Sequence, residues 1–184
     1  MDMADDQIVA LLKTPGSAER GFRLLLHKYQ ERLYWHIRRL VVDHEDTNDV
    51  LQNCLLKIFK NIDSFEGKSQ LFTWLYRIAT NEALTFMEGR RRKSTESLSD
   101  HEGVLANRLQ AAGHFNGDEA QRQLQSALQH LPDKQRAVFN LRYFDEMSYE
   151  EISSVLDTSV GALKASYHHA VKKIENYFKG VVIT

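Results

Sequence analysis

Residues 148–178, SYEEISSVLDTSVGALKASYHHAVKKIENYF, constrain the fold more than any other stretch of the chain. Two helical patterns stand there with only two polar residues between them. Ser148 with Glu151 three positions on fits a capping box that opens the first helix, and Ile152, Val155 and Leu156 supply its apolar stripe. Asp157-Thr158 leaves room only for a tight turn, and aspartate tolerates the left-handed conformation such a turn uses. Ser159 can cap the second helix. In that helix Val160, Leu163, Tyr167, Ala170, Val171, Ile174 and Phe178 share one face. The opposite face carries Ala162, Ala165, Ser166, His169, Lys172 and Lys173. It begins small and ends basic, whereas the first helix starts acidic, with Asp145, Glu146, Glu150 and Glu151. Small side chains let a helix sit deep in a major groove, and lysines then reach phosphates. Periodicity alone leaves two readings open: a helix-turn-helix whose second helix meets DNA, or a helical hairpin inside a bundle with a solvated lysine face.

The rest of the chain is also helical in pattern. Residues 5–13 suit a short helix capped by Asp5 or Asp6, which Thr14-Pro15-Gly16-Ser17 ends. Over residues 18–42 apolar side chains recur every three or four positions. The acidic knot Asp43, Glu45, Asp46 and Asp49 opens a further helix, whose buried face is expected to carry Val50, Cys54 and Ile58 beside Leu51, Leu55 and Phe59. A polar loop, 61–69, carries Phe65. A helix from Gln70 to about Glu88 ends in Gly89 and the run Arg90-Arg91-Arg92-Lys93. Residues 94–118 are polar and read as a linker, with a helical turn near 104–110. Helical periodicity resumes at Glu119, and Pro132 suits the first position of the next helix. The expected fold class is all-α: two small helical domains, 1–93 and 119–184, on a flexible tether, 94–118. The second is a helix-turn-helix, akin to a winged helix without strands.

Charge narrows the function. The formal net charge is −1, so no global field draws the chain to nucleic acid and any contact must be local. Residues 119–184 carry eight cations and eight anions; with its lysines on one helix, that domain is electrically directional. The lone cysteine, Cys54, excludes an internal disulfide and points to a reducing compartment. The acidic N-terminus and the lack of a long apolar run point to a cytoplasmic protein with no membrane insertion.

On the helix from Gln70, Thr73, Tyr76, Arg77, Thr80 and Asn81 fall opposite the large apolar residues. With Phe65 before them and four cations after, they suit nucleic acid: cations neutralise phosphate, aromatic rings stack on unpaired bases, and Asn can bond a base edge. The alternative is a solvated face with a basic helix end matching the dipole, but four consecutive cations exceed what capping needs. Glu82 falls among the apolar residues, where Arg38 or Arg39 could partner it. The acidic knot could hold a divalent ion, match a helix dipole or meet a basic partner protein; the adjacent Gln52, Asn53 and Lys57 favour the protein contact. The histidines show no zinc-ligand spacing. His169 reads as DNA-facing, His168 as a flank residue, and Cys54 as a small core hydrophobe. No catalytic constellation, cofactor site or metal site is expected.

These residues resemble the extracytoplasmic-function branch of the bacterial sigma factors. The resemblance rests on DTNDVLQNCLLKIFKNIDSFEG (46–67), FTWLYRIATNEAL (72–84) with the basic run, ALQHLPDKQRAVFNLRYFDEMSYEEIS (127–153), and the helix-turn-helix, in that order. It implies a subunit that binds core RNA polymerase and directs it to promoter DNA. By resemblance, Asp46, Asp49, Gln52, Asn53 and Lys57 belong to the polymerase-docking segment. Phe65, Thr73, Tyr76, Arg77, Thr80, Asn81, Arg90, Arg91, Arg92 and Lys93 belong to the segment that opens and reads the minus-ten element. Ser159, Ala162, Lys164, Ala165, Ser166, His169, Lys172 and Lys173 belong to the minus-thirty-five reader. An anti-sigma factor is an implied partner. Two departures stand out. Asp157 replaces the usual turn glycine, and His169 stands where arginine is commoner. The competing expectation is a dimeric helix-turn-helix regulator with residues 1–93 as a sensing or dimerisation domain.

Overall fold

A computed structural model of the chain describes residues 3–96 and 119–182, and among these residues the regular structure is eight α-helices and one short 3-10 turn. The first half comprises α1 (Asp5–Lys13), α2 (Ala18–Val41), α3 (His44–Asn61) and α4 (Leu71–Glu96). The second half comprises α5 (Glu119–Gln129), α6 (Asp133–Tyr143), α7 (Tyr149–Leu156) and α8 (Val160–Val182).

Local chemistry sets most of the boundaries. The break at Thr14-Pro15-Gly16-Ser17 lets α1 fold back along α2. The fit there is close enough that a β-carbon on Gly21 would lie 2.7 Å from the Leu12 backbone nitrogen. Val42, at φ 74°, ends α2, and the Asp43 side chain then accepts from the Asp46 amide at 3.0 Å to cap α3. The capping box at α7 is present in both directions: the Glu151 amide donates to Ser148 Oγ at 3.2 Å, and the Ser148 amide donates to Glu151 Oε2 at 2.7 Å. Asp157 is left-handed at φ 50° and ψ 50°, and Ser159 Oγ accepts from the Ala162 amide at 3.3 Å.

Some boundaries differ from expectation. α4 runs through Gly89 and the basic run to Glu96, because one exposed glycine costs a helix only about 1 kcal/mol. Pro132 is the cap of α6 rather than its first residue. The loop over 61–69 contains a 3-10 turn, Ile62–Ser64. Residues 97–118, with the turn expected near 104–110, lie outside the described residues.

Leu25, Leu33, Ile37 and Leu40 of α2 meet Cys54 and Ile58 of α3 and Leu75 and Ala79 of α4 in the main core. Leu128, Leu131, Phe139, Ala170 and Ile174 form a smaller core between α5, α6 and α8. The main core does not stop at the first half. Ala137, Val138, Leu141, Met147, Ile152 and Val155 join it through α4, so the second half is packed directly against the first.

Candidate nucleic-acid interface and docking face

The helix-turn-helix is held rigidly enough to present one face. Ile152 and Val155 of α7 and Leu163 and Ala170 of α8 are buried, which fixes the rotation of α8 about its axis. Ala162, Lys164, Ala165, His169, Lys172 and Lys173 all face solvent, and Ser166 is half-buried. Lys164 sits 5.7 Å over the Tyr149 ring, and Lys173 donates to Gln135 Oε1 at 3.1 Å. Ser159 acts as the cap. The face expected to read DNA is therefore open to solvent among the described residues and basic along its C-terminal half.

The expected α4 face is divided. Arg77 and Asn81 are exposed, as are Arg90, Arg92 and Lys93. Thr73, Tyr76 and Thr80 are not: they are buried, with Tyr76 at 1% and Thr80 at 0% exposure. The helical wheel put all five residues on one open side. Instead the Tyr76 hydroxyl meets Asp145 in the turn after α6, Thr80 lies against His36 of α2, and Ala83 and Met87 join the shared core. Phe65 is corrected in the same way. It is 8% exposed, its ring lies 5.4 Å from that of Trp74, and its carbonyl accepts from Lys13. The basic run is partly engaged, with Arg90 paired to Asp46 and Arg91 3.4 Å from Asp133.

Polar contacts line this seam. The Tyr76 hydroxyl donates to Asp145 at 3.3 Å, and His36 Nδ1 is 2.8 Å from the same carboxylate. Arg39 lies 3.7 Å from it and stacks on Phe144 at 4.4 Å. Arg136, fully buried, reaches Met87 Sδ at 3.0 Å. Burial, above all, and then the Asp145 charge push the Tyr76 phenol well above its ordinary range. Sequence reading missed His36 and the inward role of Asp145, which had seemed one of several surface acids. A signal existed: His36 falls three residues after Leu33 and four before Leu40, in the apolar register of α2.

On α3, Asp49, Gln52, Asn53 and Lys57 are exposed, and Asp46 is half-buried. Burial, more than the neighbouring carboxylates of Asp43, Asp49 and Glu45, raises the Asp46 carboxyl above its ordinary value, against the pull of Arg90. Lys57 pairs with Glu82, so the acid among the apolar residues of α4 is answered from α3 and not by Arg38 or Arg39. Phe59, expected in the buried row, is 46% exposed and packs edge-on against Phe22 at 5.1 Å, beside Leu56 at 51% exposure. This gives α3 an outer surface of acid, amide and apolar groups. Cys54 is fully buried, and burial first, then Glu82, pushes its thiol up to about 12.

An outward-facing α8 on a locked helix-turn-helix, joined to a second polar-basic helical surface, has the form of an all-α DNA-binding protein. The comparisons with known proteins narrow this. The family model for sigma-70 region 2 matches residues 25–93, and that for sigma-70 region 4 matches residues 121–174. The chain is 31% identical over 173 residues to the RNA polymerase sigma-H factor of Pseudomonas aeruginosa, covering 85% of this chain and 86% of that one. It is 31% identical over 170 residues to the ECF RNA polymerase sigma-E factor of Escherichia coli, covering 86% of each. Two solved structures share the fold. The sigma factor RpoE in complex with the anti-sigma factor NepR, from Bartonella quintana, has a TM-score of 0.69 at 23% identity, over 87% of this chain and 98% of that one. CnrH in complex with the cytosolic domain of CnrY has a TM-score of 0.70 at 20% identity, over 97% and 99%. The chain belongs to the sigma-70 family of RNA polymerase sigma factors, in its extracytoplasmic-function branch. Its function is to direct transcription initiation at promoters, and the dimeric-regulator alternative is not retained.

Proposed function

We propose that α3 docks the protein on core RNA polymerase, that α4 reads and opens the minus-ten element, and that α8 reads the minus-thirty-five element. The docking residues are Asp46, Asp49, Gln52, Asn53 and Lys57. The minus-ten residues are Arg77, Asn81 and the 90–93 basic run; the Tyr76 hydroxyl is released from Asp145 only once the seam has opened, and Phe65, Thr73 and Thr80, expected in the same set, are buried. The minus-thirty-five residues are Ala162, Lys164, Ala165, Ser166, His169, Lys172 and Lys173, set in place by Ser159. The observation that carries this reading is the α8 face, where every expected reader except the half-buried Ser166 is exposed above a core that fixes the helix. The domain division at 1–93 and 119–184, with 94–118 as tether, belongs to the same proposal. So do action in the cytoplasm, a non-catalytic role and control by an anti-sigma factor, a partner that both structural relatives carry.

The roles separate experimentally. Asp49→Lys with Gln52→Ala is expected to weaken capture of core polymerase at least tenfold while leaving binding to a minus-thirty-five duplex unchanged, since a surface charge reversal acts through its own interface. Equal loss of both activities contradicts the assignment.

A further inference from the structure

Asp145 lies in the turn between α6 and α7, yet its carboxylate is buried against the first half of the molecule. His36 Nδ1 is 2.8 Å from Asp145 Oδ2. The other ring nitrogen, Nε2, is 2.8 Å from Thr80 Oγ1, and Thr80 Oγ1 is 2.7 Å from the Tyr76 carbonyl. His36 and Thr80 are both fully buried.

The protons of this cluster can be counted. Two oxygens at hydrogen-bond distance need a hydrogen between them, and a carbonyl has none to give. The Thr80 hydroxyl proton therefore points at Tyr76, and Thr80 can only accept from His36 Nε2. Nδ1 and the carboxylate need a proton between them as well. A neutral imidazole carries one ring proton, and an ionised carboxylate carries none. The cluster thus holds one proton more than a neutral histidine beside an ionised aspartate. That proton belongs to the pair, as an imidazolium facing a carboxylate or an imidazole facing a carboxyl.

We propose that His36 and Asp145 form a proton-sensitive latch: closing the seam takes up one proton, and losing that proton at higher pH frees α7 from α4. The other charged and titratable groups around the pair are Tyr76, Arg39, Arg32, Glu31 and Glu146. The Tyr76 phenol is raised by burial and by Asp145, so it stays protonated. Burial lowers Arg39 while Asp145 opposes that shift, and a guanidinium remains a cation in either state. Arg32, one turn before His36, stacks over Phe72 at 4.7 Å. Glu146, next to Asp145, is exposed. Because the closed form binds the extra proton, the ratio of closed to open molecules rises as pH falls. The fall with rising pH is at most about tenfold per pH unit, confined to the range in which the open form has lost the proton and the closed form still holds it, and the ratio is level on either side. Opening also frees the Tyr76 hydroxyl from Asp145, beside Arg77 and Asn81; this consequence, unlike the latch, rests on α4 being a DNA reader.

Small-angle scattering of the protein from about pH 6 to about pH 8.5 spans the ordinary imidazole range. Nitrogen-15 spectra of its histidine rings, recorded across the same range, follow the pair directly. The wild type is expected to expand as pH rises, with the His36 ring signal changing in step, and Asp145→Asn should flatten the dependence. A wild type equally compact at both ends overturns the latch. So does a His36 ring signal that stays constant through the opening, a readout that stands even if a variant fails to fold. Binding of single-stranded minus-ten DNA is measured in parallel. If the seam opens but that binding does not rise, the latch stands and the DNA-reading role of α4 falls.

Discussion

Lys172 and Lys173 are exposed near the middle of α8, where an interaction with phosphate acts through charge and carries no sequence information. Replacing both with alanine is expected to weaken DNA binding to a similar degree on all sequences. It should also reduce the slope of log affinity against log salt by about two units, close to one for each phosphate left without its lysine. His169→Ala, on the same face, should instead change which bases are preferred, and binding titrations on a panel of duplexes at several salt concentrations distinguish the two outcomes. Asp157 holds a left-handed conformation that favours glycine. Asp157→Gly should therefore stabilise the helix-turn-helix by up to about 1 kcal/mol, seen as a higher midpoint in thermal unfolding. Asp157 was legible from sequence because its constraint is local. Tyr76 and Thr80 were not: a polar side chain looks the same on paper whether it meets water or the buried hydroxyl, imidazole and carboxylate of a neighbouring element.

At the scale of elements, α8 was readable because its two faces differ in kind, one apolar and one small and basic. The capping box and the acid-capped start of α3 were readable for a similar reason, since the groups that satisfy a helix end lie within a few residues of it. α4 is the harder case. It is a helix with three faces, one apolar and buried, one polar and buried, which holds Thr73, Tyr76 and Thr80, and one in solvent. A wheel sorted into apolar and polar halves merges the second face with the third. The exposed remainder makes a specific expectation. Asn81→Ala should impair promoter opening, followed by reactivity of unpaired thymines to permanganate, while affinity for core polymerase stays within about twofold, as is usual for a surface substitution outside an interface. On α3, Phe59 failed its expected burial because the apolar period there serves two surfaces, the core and an outer patch shared with Leu56 and Phe22.

At the scale of the molecule, the two halves share one core, and their seam carries polar groups that pure packing would not choose. In α6, Asn140 is fully buried with neither side-chain polar atom hydrogen-bonded among the described residues, at a cost of about 1–3 kcal/mol. No local pattern announces such a seam, since it is made by residues more than a hundred positions apart, as with His36 and Asp145. The order of the motifs, in contrast, was fully legible and already implied a sigma factor. The most direct test of the account is run-off transcription with core polymerase on a library of randomised promoters. The expected result is initiation from templates that share two short elements at a fixed spacing, with the upstream preference altered by His169→Ala and the yield of open complexes reduced by Asn81→Ala. Core polymerase that neither binds the protein nor starts at selected templates in its presence would contradict it.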